Sequence, residues 1–260
     1  MRARETAAVA ALLLSLAVQL GLAVRSDGLT SDELLYIPAG YLHVARFDLS
    51  LDTTHPPLAA ALAGLGLAGA GVVVPERAPG EETLAYCFRF LHRANGGRAL
   101  WERARVPAVL LTLALAAVLW GWARATHGAA AGLVALALAA FDPSLLAHGH
   151  LATTDLPATL AMAVAAWTYW RWSARPGPRR ALALAVAVGA ALSVRVTGGL
   201  VVPGFAALEL WTLWHSTPAE RGPSDDFSCC KACSSNNFAL PYSFLVSASC
   251  PAPWRSMFAA

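Results

Sequence analysis

From Ala7 to Val24 the chain runs 18 residues without a charged side chain, and the pattern recurs along most of its length. A helix crossing the hydrocarbon core of a bilayer needs about 20 mostly apolar residues, with a range of roughly 17–25. Comparable stretches follow at Val106 to about Trp122, at Ala129 to Ala140 with room to continue to Ala147, and at Leu156 to Trp170. Two more start at Ala181 and run from Leu200 to Trp214, where Pro203 bends the start. The expected fold is therefore all-α, a polytopic transmembrane bundle of about six spans. The first span follows Arg2 and Arg4, as a signal peptide does. Its apolar run exceeds the usual h-region of about 7–15 residues and no clear A-x-A site follows, which favours a retained span. Leu58 to Val74 is apolar but rich in Gly and Ala, and reads as a helix at the interface or inside the protein.

Composition agrees with lipid as the main solvent. Hydrophobic residues make up 57% of the 260 and charged residues 13%, against about 25% charged in soluble domains. A disordered chain is excluded on that ground. A net charge of +3 leaves no basic footprint for nucleic acid.

Short arginine-rich loops stay in the cytoplasm. Arg171, Arg175, Arg179 and Arg180 crowd one turn, which is placed inside. Parity then puts the Arg124 turn and the N-terminus inside as well. The loop Asp142 to Asp155 falls outside, as does the long first loop from Arg25 to Arg105, which is expected to carry short interfacial helices. The expected location is the plasma or inner membrane, with a cytoplasmic N-terminus.

Few charges remain. Between Val106 and Leu208 the only carboxylates are Asp142 and Asp155. Arg195 is the one arginine in that interval outside an inner turn. Charges near membrane depth are costly and by default mark function. Parity gathers Asp32, Arg105, Asp155 and Arg195 on one side. Plainer readings stand beside this one. Asp32 and Asp155 suit helix caps, and Arg105 suits a snorkelling interfacial residue. His148 and His150 flank a glycine, which is weak evidence for a metal. His55-Pro56-Pro57 forces an extended residue before an apolar helix, with Pro57 suited to the helix start.

These elements resemble the GT-C membrane glycosyltransferases, most nearly the protein O-mannosyltransferase and lipid A aminoarabinose-transferase group. That group opens with one span and a large outer loop that begins with an Asp-Glu motif, here Asp32-Glu33-Leu-Leu-Tyr36. The loop runs to a His-Pro-Pro element, here His55-Pro56-Pro57-Leu58. An Arg-x-Pro opens the second span, here Arg105-Val106-Pro107. Phe141-Asp-Pro143 leads to Asp155 before a later span. A Gly-rich helix ends in Ser193-Val-Arg195-Val-Thr197-Gly198. The likeness covers about residues 7–215. The group often has Lys where this chain has Arg195, a point charge in place of a planar fork.

The resemblance implies transfer of a sugar from a polyprenyl- or dolichyl-phosphate donor to a hydroxyl on a protein or glycolipid acceptor at the outer face of the bilayer. Asp32 would act as the catalytic base, with Glu33 orienting it or the acceptor. Arg105 and Arg195 would bind the donor phosphate, and Asp155 and His55 would support them. Some relatives use a divalent cation, so the cofactor is left unassigned. The competing readings are a transporter segment and a non-catalytic membrane protein. A transporter places its charges near the midplane, often within inverted repeats. Here they sit at span ends, and no repeat is visible.

From Gly222 the composition changes. Residues 222–260 hold four of the five cysteines, eight serines and Lys231, the sole lysine. The expected division is residues 1–221 as the transferase N-terminal region and 222–260 as a Ser/Cys-rich tail. That tail is expected to be disordered or a frameshift product, and because members of the group are about twice this length an inactive truncated fragment is among the expected readings.

Overall fold

The computed structural model describes residues 3–215, all helix and connections with no strand among them. The chain divides into two compact units after Val201. The second contributes one described helix, α11 (Val201–His215), and residues 222–260 lie outside the described part. Everything below concerns the first unit.

Two helices are long and apolar enough to cross a bilayer. The first is α1 (Ala3–Ser26), which rises about 36 Å at 1.5 Å per residue. The second runs from Arg98 to His127, made of α5 (Arg98–Ala104) and α6 (Val106–His127). Leu16 and Leu20 of α1 are fully buried, while Leu14, Val18 and Leu22 are exposed. A helix apolar on both faces but buried on only one needs an apolar surrounding for the other. The buried face meets Ala116 of α6 and Leu136, Ala139 and Ala140 of α7 (Ala129–Ala140). These small residues let the backbones approach closely. Gln19, polar within α1, donates to the Ala140 carbonyl at 3.2 Å and satisfies a group left open at the end of α7. At the opposite end of α1, Glu5 pairs with Arg124 at 2.6 Å.

Helix α7 does not continue to Ala147. It stops at Ala140 because Asp142 accepts from the Leu145 amide and Pro143 starts a new helix, α8 (Pro143–His148). Twelve residues rise about 18 Å, short of the roughly 30 Å hydrocarbon core. Two further helices, α9 (Asp155–Ala174) and α10 (Pro178–Val194), form a hairpin through the arginine turn.

The long first connection is itself a helical layer. Helix α2 (Ser31–Arg46) starts at a capping box in which Thr30 and Glu33 satisfy each other. It ends at Phe47 in the left-handed region. Helix α3 (Pro57–Gly66) has proline at its first position, as the His-Pro-Pro element predicts. Helices α2 and α3 touch through Gly40 and Gly64, where any added Cβ would overlap the opposing backbone. The layer continues through α4 (Thr83–Phe88) and a π-helical turn, Arg89–Ala94, into α5. Its core joins Ile37 and Leu42 of α2 to Leu67, Phe90, Leu91 and Leu100. On the far side of α3, Ala59 meets Ala158 of α9 and Val194 of α10. This contact brings the start of α9 and the end of α10 beneath the layer.

Candidate active site

Helix α2 turns about 100° per residue, so the neighbours Asp32 and Glu33 face different surroundings. Glu33 points inward and is fully buried. Arg105, also fully buried, grips it with a fork: Nε to Oε1 and Nη2 to Oε2, both at 2.7 Å. The remaining guanidinium hydrogens reach the end of α1. Nη1 donates to the carbonyls of Val24 at 3.2 Å and Asp27 at 3.0 Å, and Nη2 to Gly28 at 2.6 Å. Guanidinium has five N–H donors, and five contacts occupy them. Arg105 therefore neutralises Glu33 and also satisfies open carbonyls at a helix C-terminus, where positive charge is favoured.

Glu33 is equally occupied. It accepts from the Thr30 amide and hydroxyl at 3.1 Å each and from the Ala152 amide at 2.9 Å. Burial pushes its carboxyl up. The Arg105 hydrogen bond, the Ala152 amide, the Arg105 charge and the Thr30 amide outweigh this and hold it below the ordinary value. One ion pair thus joins the end of α1, the start of α2, the start of α6 and the loop before α9. His150 adds a second tie. Fully buried, it places Nδ1 3.1 Å from the Leu146 carbonyl and Nε2 3.0 Å from an Asp27 carboxylate oxygen.

The open side of α2 carries Asp32 and, one turn on, Tyr36. Residues four apart share a helix face. Thr30 caps the helix, so Asp32 is released from that duty and stays exposed. Tyr36 is buried, and its hydroxyl lies 3.4 Å from the His55 ring nitrogens. Behind His55 stand Thr54 and Asp52. The Thr54 hydroxyl donates to Asp52 Oδ1 at 2.7 Å and lies 2.8 Å from His55 Nδ1. A hydroxyl has one hydrogen to give, so Nδ1 is the donor to Thr54. Of the two ring nitrogens, both 3.4 Å from the Tyr36 hydroxyl, Nε2 is the one left to accept from it. Burial pushes the Asp52 carboxyl up, but the Thr54 hydroxyl and amide and the neighbouring His55 bring it below its ordinary value.

Across from α2, Asp155 occupies the first turn of α9 and Arg195 follows the last residue of α10. Their side chains form an ion pair, and both remain substantially exposed. Gly198 permits this geometry. The short 3-10 turn after Arg195 folds back so tightly that a Cβ at 198 would overlap the Ala191 carbonyl. Tyr36 registers the convergence electrostatically. Burial raises its hydroxyl pKa, and Asp32 and Asp52 raise it further, while Thr154 and Arg195 oppose them.

The residues expected from sequence thus separate into two groups. Asp32, His55, Asp155 and Arg195 remain at least partly exposed, with His55 against the Tyr36 hydroxyl and Arg195 paired to Asp155. Glu33 and Arg105 form the buried floor. All five N–H groups of Arg105 are engaged within the fold, so the donor-phosphate role expected of it requires release of one of these contacts. Both oxygens of Glu33, expected to orient Asp32 or the acceptor, are likewise engaged within the fold. Asp155 is not a cap either: Thr154 occupies the cap position. Tyr36, Asp52 and Thr154 were not singled out from sequence. The i, i+4 spacing from Asp32 marks Tyr36 and the i, i+3 spacing before His55 marks Asp52, whereas nothing local marks Thr154. Among the described residues, no group of three or more His, Cys, Asp or Glu side chains converges as a metal site.

Comparison with curated proteins and with solved structures gives no match. A protein-family comparison matches residues 86–223, just over half of the chain. The matched stretch contains Arg105, Asp155 and Arg195, and Asp32 and His55 precede it. With a membrane-scale helical scaffold, acidic and basic side chains meeting on one open face, and this match, the chain belongs to the dolichyl-phosphate-mannose-protein mannosyltransferase family, of GT-C type.

Proposed function

We propose that the open face around Tyr36 transfers a sugar from a polyprenyl- or dolichyl-phosphate donor to a hydroxyl on a protein or glycolipid acceptor. Asp32 is the base. It is exposed, and needs only an acceptor hydroxyl within about 2.6–3.2 Å to take its proton. The acceptor oxygen then bonds to the sugar C1 as the C1–O bond to the lipid phosphate breaks. Arg195 meets the charge that develops on the phosphate, since a guanidinium fork matches two phosphate oxygens. Its pairing with Asp155 is compatible with this role. Exposed ion pairs are worth about 0–1 kcal/mol, so a doubly charged phosphate can share or displace the carboxylate. Asp155 holds the guanidinium in place until then. His55, positioned by Asp52 and Thr54, orients Tyr36. Glu33 and Arg105 keep the first turn of α2 in register.

The membrane arrangement that suits this reading is polytopic, with α1 and the Arg98–His127 helix as the two crossings long and apolar enough by themselves. The N-terminus is cytoplasmic and the site is at the outer face of the plasma or inner membrane. Arginines crowd the α9–α10 turn, and the carboxylates lie at the opposite helix ends.

The observation that carries the proposal is that exposed Asp32 and Arg195, the latter paired to Asp155, both act electrostatically on the Tyr36 hydroxyl. The test is Asp32→Asn, assayed with a radiolabelled polyprenyl-phosphate mannose. General-base loss predicts a fall in kcat of about 10²–10⁴ with little change in donor KM. Arg195→Ala is expected to lower kcat by about 10²–10³ and to raise donor KM. Wild-type turnover in Asp32→Asn overturns the assignment.

A further inference from the structure

On the flank of α2 away from Asp32 lies a second concave feature, a cleft of about 500 Å³. Small-molecule sites span about 300–1,000 Å³. Its wall is an aromatic ladder. Phe88 and His92 stack with centroids 4.4 Å apart, and His92 meets Trp101 edge-on at 5.5 Å. Gly97 makes the ladder possible. It turns the chain at a positive φ of 61° between the π-helical turn and α5, where a Cβ would come to 3.4 Å from His92 and 3.5 Å from Trp101. Ser31 of α2 and Arg98 of α5 also line the cleft. Arg98 is held in place by Glu102 at 3.0 Å and by the Arg25 carbonyl at 2.7 Å.

We infer that this cleft binds a hexose unit of the acceptor, either a free glycan or the headgroup of a glycolipid. The inference rests on the transferase reading and names a class of acceptor for it. Sugar rings present a face of C–H groups and a rim of hydroxyls. The negative faces of aromatic rings suit the first, and a hydroxyl and a guanidinium suit the second. Phe88 remains about half exposed, an apolar face open to a ligand. No carboxylate lines the cleft, so a basic peptide finds no counter-charge. The surrounding backbone is helical, so an extended peptide finds no strand edge to join. The location suits a membrane-anchored headgroup. Ser26, at the end of α1, and Arg98, at the start of the second long helix, both line the cleft. Ser31 and Asp32 are sequence neighbours, about 3.8 Å apart at Cα. A sugar chain seated here therefore reaches the base by crossing one turn of α2.

The full chain in phosphatidylcholine nanodiscs is probed with methyl α-mannoside by saturation-transfer NMR. A signal above that of empty discs is expected, reduced at least fivefold by Phe88→Ser and by His92→Ala with the far-UV helical spectrum unchanged. Asp32→Asn is expected to abolish transfer yet leave this binding intact, so failure of the base assignment and failure of the cleft are separately visible. Soluble dimannoside and dimannosyl-diacylglycerol placed in the discs are then compared as competitors. Stronger competition by the lipid identifies a glycolipid headgroup, and stronger competition by the soluble sugar identifies a free glycan. No signal from the wild type, equal signals in both variants, or displacement by a Ser/Thr-rich peptide but not by either sugar overturns the inference.

Discussion

Arg105 and Glu33 are each fully buried and fully hydrogen-bonded, and that combination sets what either can do. Removing one partner from a buried pair leaves an uncompensated charge, at a cost of about 3–5 kcal/mol. Arg105→Ala is therefore expected to lower stability by about that amount, and Arg105→Lys to recover only part of it because an ammonium cannot reproduce the fork. Thermal melting of the purified protein measures both. The pair also makes stability depend on pH. The Glu33 carboxyl is held below its ordinary value of 4.5 in the fold. Its contribution is thus complete above that value and fades as pH falls through the lowered one. Replacing both partners by apolar residues, Glu33→Leu with Arg105→Met, should flatten the acid side of a plot of Tm against pH. An unchanged acid slope contradicts the assignment. The sequence showed both residues. It did not show that they face each other, because that depends on a contact between positions 72 residues apart.

At the scale of elements, the site is held by the crossing of α2 and α3. Helix α2 bears Asp32 and Tyr36, while α3 begins two residues after His55. Gly40 and Gly64 set the separation of these helices, since a Cβ on either would overlap the opposing main chain. Overpacking costs about 1–3 kcal/mol, occasionally more. Gly40→Ala is expected to destabilise by at least that much and to reduce transfer by shifting Tyr36 from His55. Gly21, on α1, has open space around its Cβ position. Gly21→Ala is expected to be neutral or to stabilise by up to about 1 kcal/mol, from helix propensity alone. Equal effects of the two changes on melting and turnover would refute a role for the crossing. The long apolar helices were legible because a run of uncharged residues is a local signal. The short helices of the first connection were less so. Their burial is against one another, which no local pattern reports.

Across the whole molecule, the distribution of charge predicts sidedness. Ser144, in α8, and Arg175, beyond the other end of α9, are both exposed. The 20 residues of α9 rise about 30 Å, the thickness of a hydrocarbon core. In a cysteine-free background, a membrane-impermeant maleimide should label Ser144→Cys in intact cells and Arg175→Cys only after permeabilisation. Labelling of both from one side rejects the proposed topology.

What the sequence determined by itself was the helical class, the approximate extent of the long apolar helices and the short list of charges that stand beside them. These follow from composition, run length and the asymmetry of arginine, all of which are local. What only the tertiary structure decided was how those charges divide. A step of one residue on α2 turns Glu33 into a closed pair with Arg105 and leaves Asp32 open beside Tyr36. Packing of α3 against α9 and α10 sets where the Asp155–Arg195 pair stands, and Arg195 acts electrostatically on the same tyrosine. The physical reason is that burial and pairing depend on which distant helix covers each face, and a linear chain does not record that.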